Sequence, residues 1–257
     1  MNQDHPSTSY SSTPQGLPVE QPARPPVFHP YVTYTLISIC VVMYLLQVGT
    51  GYFSNVDITG ALDKNNSLIV QGQLWRLFTP IFLHGSILHI AFNMYALFYF
   101  GRMIERHYGW MRYLALFILS GFAGNVISFM FSPYQSLGSS TSIFGLLGAV
   151  GVLIYQNRAI FGPIARQALS QVMIIAVINL IIGLTPGSSI DNWGHIGGLV
   201  GGSLFAWFGG PVYHRIGQIP PYPVVNTRTE REVVIAGAGV GFLFIFLTLV
   251  ALFVRRG

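Results

Sequence analysis

The chain has 257 residues, of which 52% are hydrophobic and only 8% are charged. A soluble domain carries about 25% charged residues, so a single water-soluble core is excluded: too little charge is present to cover its surface. An intrinsically disordered chain is excluded too, since that needs low hydrophobicity and high charge. The single cysteine, Cys40, excludes an internal disulfide framework and any Cys-based zinc site. The net charge of +5 comes from 13 basic residues scattered singly between apolar runs, which argues against a nucleic-acid partner. The class is a polytopic, all-α membrane helix bundle.

Residues 1–30 are rich in Pro, Ser, Thr and Gln and read as a disordered tail. They lack the basic start and short apolar core of a secretory signal. A membrane-crossing helix needs about 20 mostly apolar residues. Candidate spans follow at 31–48, 81–100, 113–131, 139–155, 168–184, 193–208 and 233–254. None of these contains Asp, Glu, Lys or Arg. His84 and His89 fall in the second and His195 in the sixth, and ionisable groups inside a span are expensive and mark function. Residues 211–232, with the string IPPYPVV, read as a linker to the seventh span. With the N-terminus in the cytoplasm, nine Lys and Arg residues fall on the cytoplasmic side. Lys64, Arg76, Arg255 and Arg256 fall on the other. The three short loops therefore favour a cytoplasmic N-terminus and an extracytoplasmic C-terminus, although Arg255 and Arg256 run against it.

Three segments carry candidate chemistry. His89 and Asn93 stand four apart, so they share one helix face, and both side chains can donate hydrogen bonds. They could equally tie helices together. Gly138-Ser139-Ser140-Thr141 opens the fourth span. A helix start offers free N–H groups and a positive dipole end to a developing oxyanion. Ordinary serine capping would account for the same residues. Gly194, Gly198 and Gly202 form a ladder of small residues around His195, matched by Gly145, Gly148 and Gly151 on the fourth span. Close packing of these spans would bring His195 to a serine that needs a base. Packing alone would also explain the glycines. Together the segments hold a nucleophile, a base and oxyanion donors, the parts needed for acyl transfer.

In this order the residues resemble the rhomboid intramembrane serine proteases. The resemblance rests on Trp75 and Arg76, on His84, His89 and Asn93, on Gly138-Ser139-Ser140 before Ile143-Phe144-Gly145, and on His195 followed by Gly197, Gly198 and Gly202. It covers residues 31–210 and implies a six-helix catalytic core, with 233–254 as the added C-terminal helix of one rhomboid subclass. It implies Ser140 as nucleophile and His195 as general base and then acid. It implies an oxyanion hole of His89, Asn93 and the Ser140 N–H, supported by His84. Phe144 would lie against the catalytic histidine, and Trp75 and Arg76 would anchor the first loop. Glu105 and Arg106 would make an acidic–basic contact in the second loop. Thr141 departs from the family's Gly-x-Ser-Gly pattern and narrows the backbone freedom after the nucleophile.

The resemblance implies an endopeptidase acting on single-span or polytopic membrane proteins within a lipid bilayer. No metal, cofactor or nucleic acid is expected. The active site would open to the extracytoplasmic side of a prokaryotic cell membrane. Two other readings stand beside it: a catalytically silent rhomboid-like protein that binds membrane clients, and a channel or transporter using the histidines.

Overall fold

The computed structural model describes residues 28–54, 56–217 and 223–256. The tail expected over 1–30 lies outside the described residues except for Phe28, His29 and Pro30, as do 218–222 of the linker. Helix α1 (Tyr31–Phe53) is an uncharged run of 23 residues. Its first turn is closed from a distance, because the Glu105 carboxylate accepts from the N–H groups of Val32 and Thr33 at 2.9 Å. The Thr33 hydroxyl donates to the same carboxylate at 2.7 Å. Glu105 therefore caps α1 from a helix, whereas the sequence placed it in a loop paired with Arg106. Arg106 is exposed.

A long first loop follows. It folds into two short helices, α2 (Ile58–Leu62) and α3 (Asn66–Val70), then two tight turns over Leu74–Leu77 and Thr79–Phe82. Asp57 and Asn65 cap the two helices, accepting from Gly60 N at 2.8 Å and Leu68 N at 3.3 Å. The second span starts at Ile87 rather than at 81. The Thr79–Phe82 turn ends at Leu83, which is extended, and Ser86 starts the helix by accepting from His89 N at 3.1 Å. His84 is thus a loop residue. The helix runs as α4 (Ile87–Ala96), a π-turn (Leu97–Gly101) and α5 (Arg102–Tyr108). Gly109, at φ +75°, breaks it before α6 (Trp110–Phe131).

The remaining elements are α7 (Ser140–Gln156), α8 (Arg158–Phe161), α9 (Ile164–Gly183) and α10 (Asn192–Gly209). Then come β1 (Tyr213–Arg215), β2 (Val224–Asn226) and α11 (Glu230–Arg256). The strands pair antiparallel with His214 opposite Val225. The segment read as a plain linker thus contains a small β-pair.

Among the described residues, five helices are long and apolar enough to cross a membrane: α1, the α4–α5 helix, α6, α9 and α11. Helix α7 is shorter, at 17 residues. Helix α10 carries Gly194, Gly197, Gly198, Gly201, Gly202 and Gly209, all buried. These two helices pack against each other and against α6, and most of α7 and half of α10 are buried by protein. Helix α11 lies along α6 and α10, and α9 leans on α7. The α7–α10 seam is very close. A Cβ on Gly202 would fall 2.6 Å from the carbonyl carbon of Gly145, and one on Gly148 would fall 2.9 Å from Leu199 O. Gly151 does not belong to this seam: it faces Val172 of α9 at 3.5 Å.

Candidate active site

Ser140 is the first residue of α7, and its predecessor Ser139 makes no side-chain bond to the helix start. The first-turn N–H groups are therefore not capped by it, and a helix start leaves such groups in need of partners. Asp191 caps α10, accepting from Gly194 N at 2.9 Å, and this fixes the turn that carries His195. The Ser128 hydroxyl donates to the other oxygen of the same carboxylate. Across the glycine seam, Ser140 Oγ and His195 Nε2 come to 2.9 Å, although 55 positions separate them in the chain. The ring of Phe144, one turn after Ser140, stacks on the imidazole with centroids 4.1 Å apart and planes 12° from parallel. The ring and Oγ contacts hold the imidazole in place. Its Nδ1 has no hydrogen-bond partner among the described residues.

His89 and Asn93 lie one turn apart on α4, and Asn93 Nδ2 donates to His89 O at 2.9 Å. An amide nitrogen carries two protons, so one remains for the cavity. Gly138, at φ +134°, passes so close to His89 that a Cβ would lie 2.7 Å from Nε2. His84 is 1% exposed, and its Nε2 meets the hydroxyl of Ser139 at 3.3 Å. Its ring meets that of His89 edge-on at 5.2 Å. A loop histidine thus braces both the residue before Ser140 and the neighbouring His89.

These groups line one cavity of about 940 Å³, which Ser140, His195, His89, Asn93 and Gly138 all reach. Its lining includes Phe92, Tyr95 and Tyr99 from the second span and Ile175, Asn179 and Ile182 from α9. Among the described residues no group of three or more His, Cys, Asp or Glu side chains could hold a metal ion.

Trp75 and Arg76 sit away from the cavity and serve the first loop. Arg76 is 3% exposed and meets Asp63 at 2.6 Å. It also donates to Asp63 O at 2.9 Å and Gly60 O at 2.8 Å. Trp75 is half exposed, with its indole N–H 3.4 Å from Ala61 O. Burial raises the Asp63 carboxyl above its usual range, against the pull of Arg76. Sequence reading missed Asp63, Lys64 and Ser128. Lys64 is fully buried, which pushes its ammonium down to about 8. A lysine flanked by Asp63 and Asn65 in a loop gives no local signal of burial. Asn125, also missed, donates to Leu77 O at 3.0 Å and ties α6 to the first loop.

The rhomboid domain model matches residues 71–212, more than half of the chain. The chain belongs to the rhomboid family. It is 43% identical over 178 residues to rhomboid protease GluP of Bacillus subtilis (strain 168), covering 69% of this chain and 34% of that protein. It is 36% identical over 149 residues to RHOMBOID-like protein 1 of Arabidopsis thaliana, covering 58% of this chain and 37% of that one. It is 32% identical over 131 residues to rhomboid-like protease 3 of Toxoplasma gondii, covering 51% and 49% of the two chains. The match thus spans a third to a half of the length of these relatives. As a rhomboid, the chain is a multi-pass helical membrane protein.

Proposed function

We propose that this rhomboid is an intramembrane serine endopeptidase, with Ser140 as nucleophile and His195 as general base and acid. The observation that carries the reading is the 2.9 Å contact of Ser140 Oγ with His195 Nε2 inside the cavity. Ser140 Oγ attacks a substrate carbonyl carbon while His195 Nε2 takes the hydroxyl proton. The oxyanion forms beside the free amide proton of Asn93, the His89 ring and the N–H of Ser140, and removing one such donor typically costs about 10²–10³ in turnover. His195 then gives its proton to the leaving amine. In the second half, His195 takes a proton from water and the hydroxide opens the acyl-enzyme. Ser140 recovers its proton from His195.

The substrates are membrane proteins that enter sideways between the aromatic wall of the second span and α9. Segments with Gly or Pro near the site end unwind most cheaply and are favoured. The domain plan is the catalytic core at 31–210, the linker at 211–232 and the seventh helix at 233–254, with the tail at 1–30. The linker end faces the cytoplasm and the cavity end faces away from it. The charge balance supports this. Arg102, Arg106, Arg112, Arg158, Arg166, Arg215, Arg228 and Arg231 gather toward the linker end. At the other end Lys64 and Arg76 are buried, and Arg255 and Arg256 hold backbone carbonyls. Wild-type protein should label with a fluorophosphonate and Ser140→Ala should not. Absence of labelling in the wild type would favour the client-binding reading.

A further inference from the structure

The seventh helix ends in an arginine pair that does not hang free. Arg256 reaches back with Nε and Nη2 to Val70 O, at 3.2 and 2.7 Å. Val70 is the last residue of α3, in the first loop. Arg255 Nη2 approaches Met130 O at 3.4 Å, and its guanidinium lies 5.1 Å from the Phe129 ring centre. Met130 belongs to the last turn of α6. Both carbonyls are helix C-terminal acceptors, which lack helical partners and favour a cation.

The same stretch of the first loop holds the segment that leads into Ser140. Lys64 Nζ donates to Tyr134 O at 2.8 Å and to Ser132 O at 3.4 Å. Asn66 Nδ2 donates to Ser132 O at 2.8 Å. The backbones of Lys64 and Ser136 exchange both hydrogen bonds, at 2.9 and 3.2 Å. Gly138 N donates to Pro80 O at 2.9 Å. Among the described residues, the hydrogen bonds that 132–138 makes to other elements run to the first loop, apart from that of Ser132 N to Ser128 O of α6. The first loop is in turn gripped by the end of α11.

We infer that the seventh helix is a positioning element: through Arg256 it steadies α3 and through Arg255 the last turn of α6, and these two, with Lys64 and Asn66, fix the 132–138 segment that sets Ser140 and Gly138. Its catalytic consequence rests on the reading of Ser140 as nucleophile; the mechanical link does not. Arg255, Arg256, Lys64 and Asn66 touch no reacting atom and act only through the backbone they hold.

Hydrogen exchange on the full chain in detergent micelles, comparing wild type with the Arg255→Ala/Arg256→Ala double variant, tests the link without any need for activity. Exchange at the amides of Lys64 and Ser136 should quicken about tenfold, while α7, α10 and the body of α11 keep their protection. The fluorophosphonate labelling rate should fall about three- to tenfold, and Arg256→Lys, which keeps a donor at Val70, should recover most of both losses. Unchanged exchange at Lys64 and Ser136 would overturn the link. So would loosening confined to α11, the mark of a simple membrane anchor. Faster exchange with an unchanged labelling rate would overturn the positioning role. Should the double variant not fold, Arg256→Gln alone provides the same comparison. A wild type that never labels counts against the protease reading, and the exchange result would still judge the link.

Discussion

Gly138→Ala should lower turnover as well as stability, whereas a glycine of similar φ with open space beside it should lose stability alone. Gly138 has φ +134°, in a region L-residues rarely enter, and a Cβ there would lie 2.7 Å from His89 Nε2 and 2.8 Å from Cε1. Carbon contacts settle at about 3.5–4.0 Å, so His89 would have to retreat by roughly 0.8 Å or more. The backbone strain adds about 1–3 kcal/mol to the folded state. A misplacement of about 1 Å at a catalytic group can cost about 10²-fold, so kcat should fall about 10²-fold with KM nearly unchanged. Gly72→Ala is the matched control. Gly72 has φ +101° but nothing within 4 Å of the position its Cβ would take. It should pay the strain and keep its kcat. The assay is steady-state cleavage of a single-span substrate in liposomes, with thermal unfolding in parallel. A Gly138→Ala variant that folds and keeps kcat within about threefold of wild type would refute the placement of His89 at the oxyanion.

Glu105→Ala removes the acceptor for two backbone N–H groups and a hydroxyl at the start of α1, and should cost about 1–3 kcal/mol in unfolding free energy. An unchanged unfolding midpoint would show that water replaces the carboxylate there. Gly202→Ala should lower both the unfolding midpoint and the labelling rate, because its Cβ would meet the Gly145 backbone rather than a movable side chain. Full labelling in that variant would mean that the α7–α10 spacing does not set the Ser140–His195 contact. Burial lowers the Lys64 ammonium from 10.5 to about 8, so between these values the unfolded chain holds a proton that the folded one has lost. Folded stability should therefore rise with pH from about 8 to about 10.5, by up to about 3 kcal/mol from this group, the burial penalty applying in full below that window. Asp63 and Asp191 oppose the shift and Arg255 adds to it. Unfolding of Lys64→Met across the same window should lack that rise, and a persistent rise would assign it to another group.

The apolar runs marked nearly every membrane helix, since a span of that length and composition has few other uses. The errors fell where local and distant demands differ. An apolar count carried the second span back to Ile81, but Ile81 and Phe82 close a separate tight turn, Leu83 is extended, and the Ser86 cap starts the helix only at Ile87. The count also stopped at Phe100, where the helix continues past Arg102 to Tyr108. His89 and Asn93 could be picked out from their spacing and His195 from the glycine ladder around it, whereas Ser140 among its neighbouring serines, and Phe144, came from the resemblance to the rhomboid proteases. What holds these residues could not be picked out. The Glu105 cap on α1, the Lys64 tie to Tyr134 and the Ser128–Asp191 contact join segments about 60 or more positions apart, and no local periodicity encodes them. Arg255 and Arg256 looked anomalous as charges to be counted by side. Their contacts explain them as donors to helix C-terminal carbonyls.

The most direct test of the central claim is cleavage of a model single-span membrane protein by the purified chain in liposomes, with Ser140→Ala and His195→Ala beside the wild type. The account predicts cleavage by the wild type and losses of several orders of magnitude in each variant, because nucleophile and base act as one unit. Cleavage that survives Ser140→Ala would contradict it.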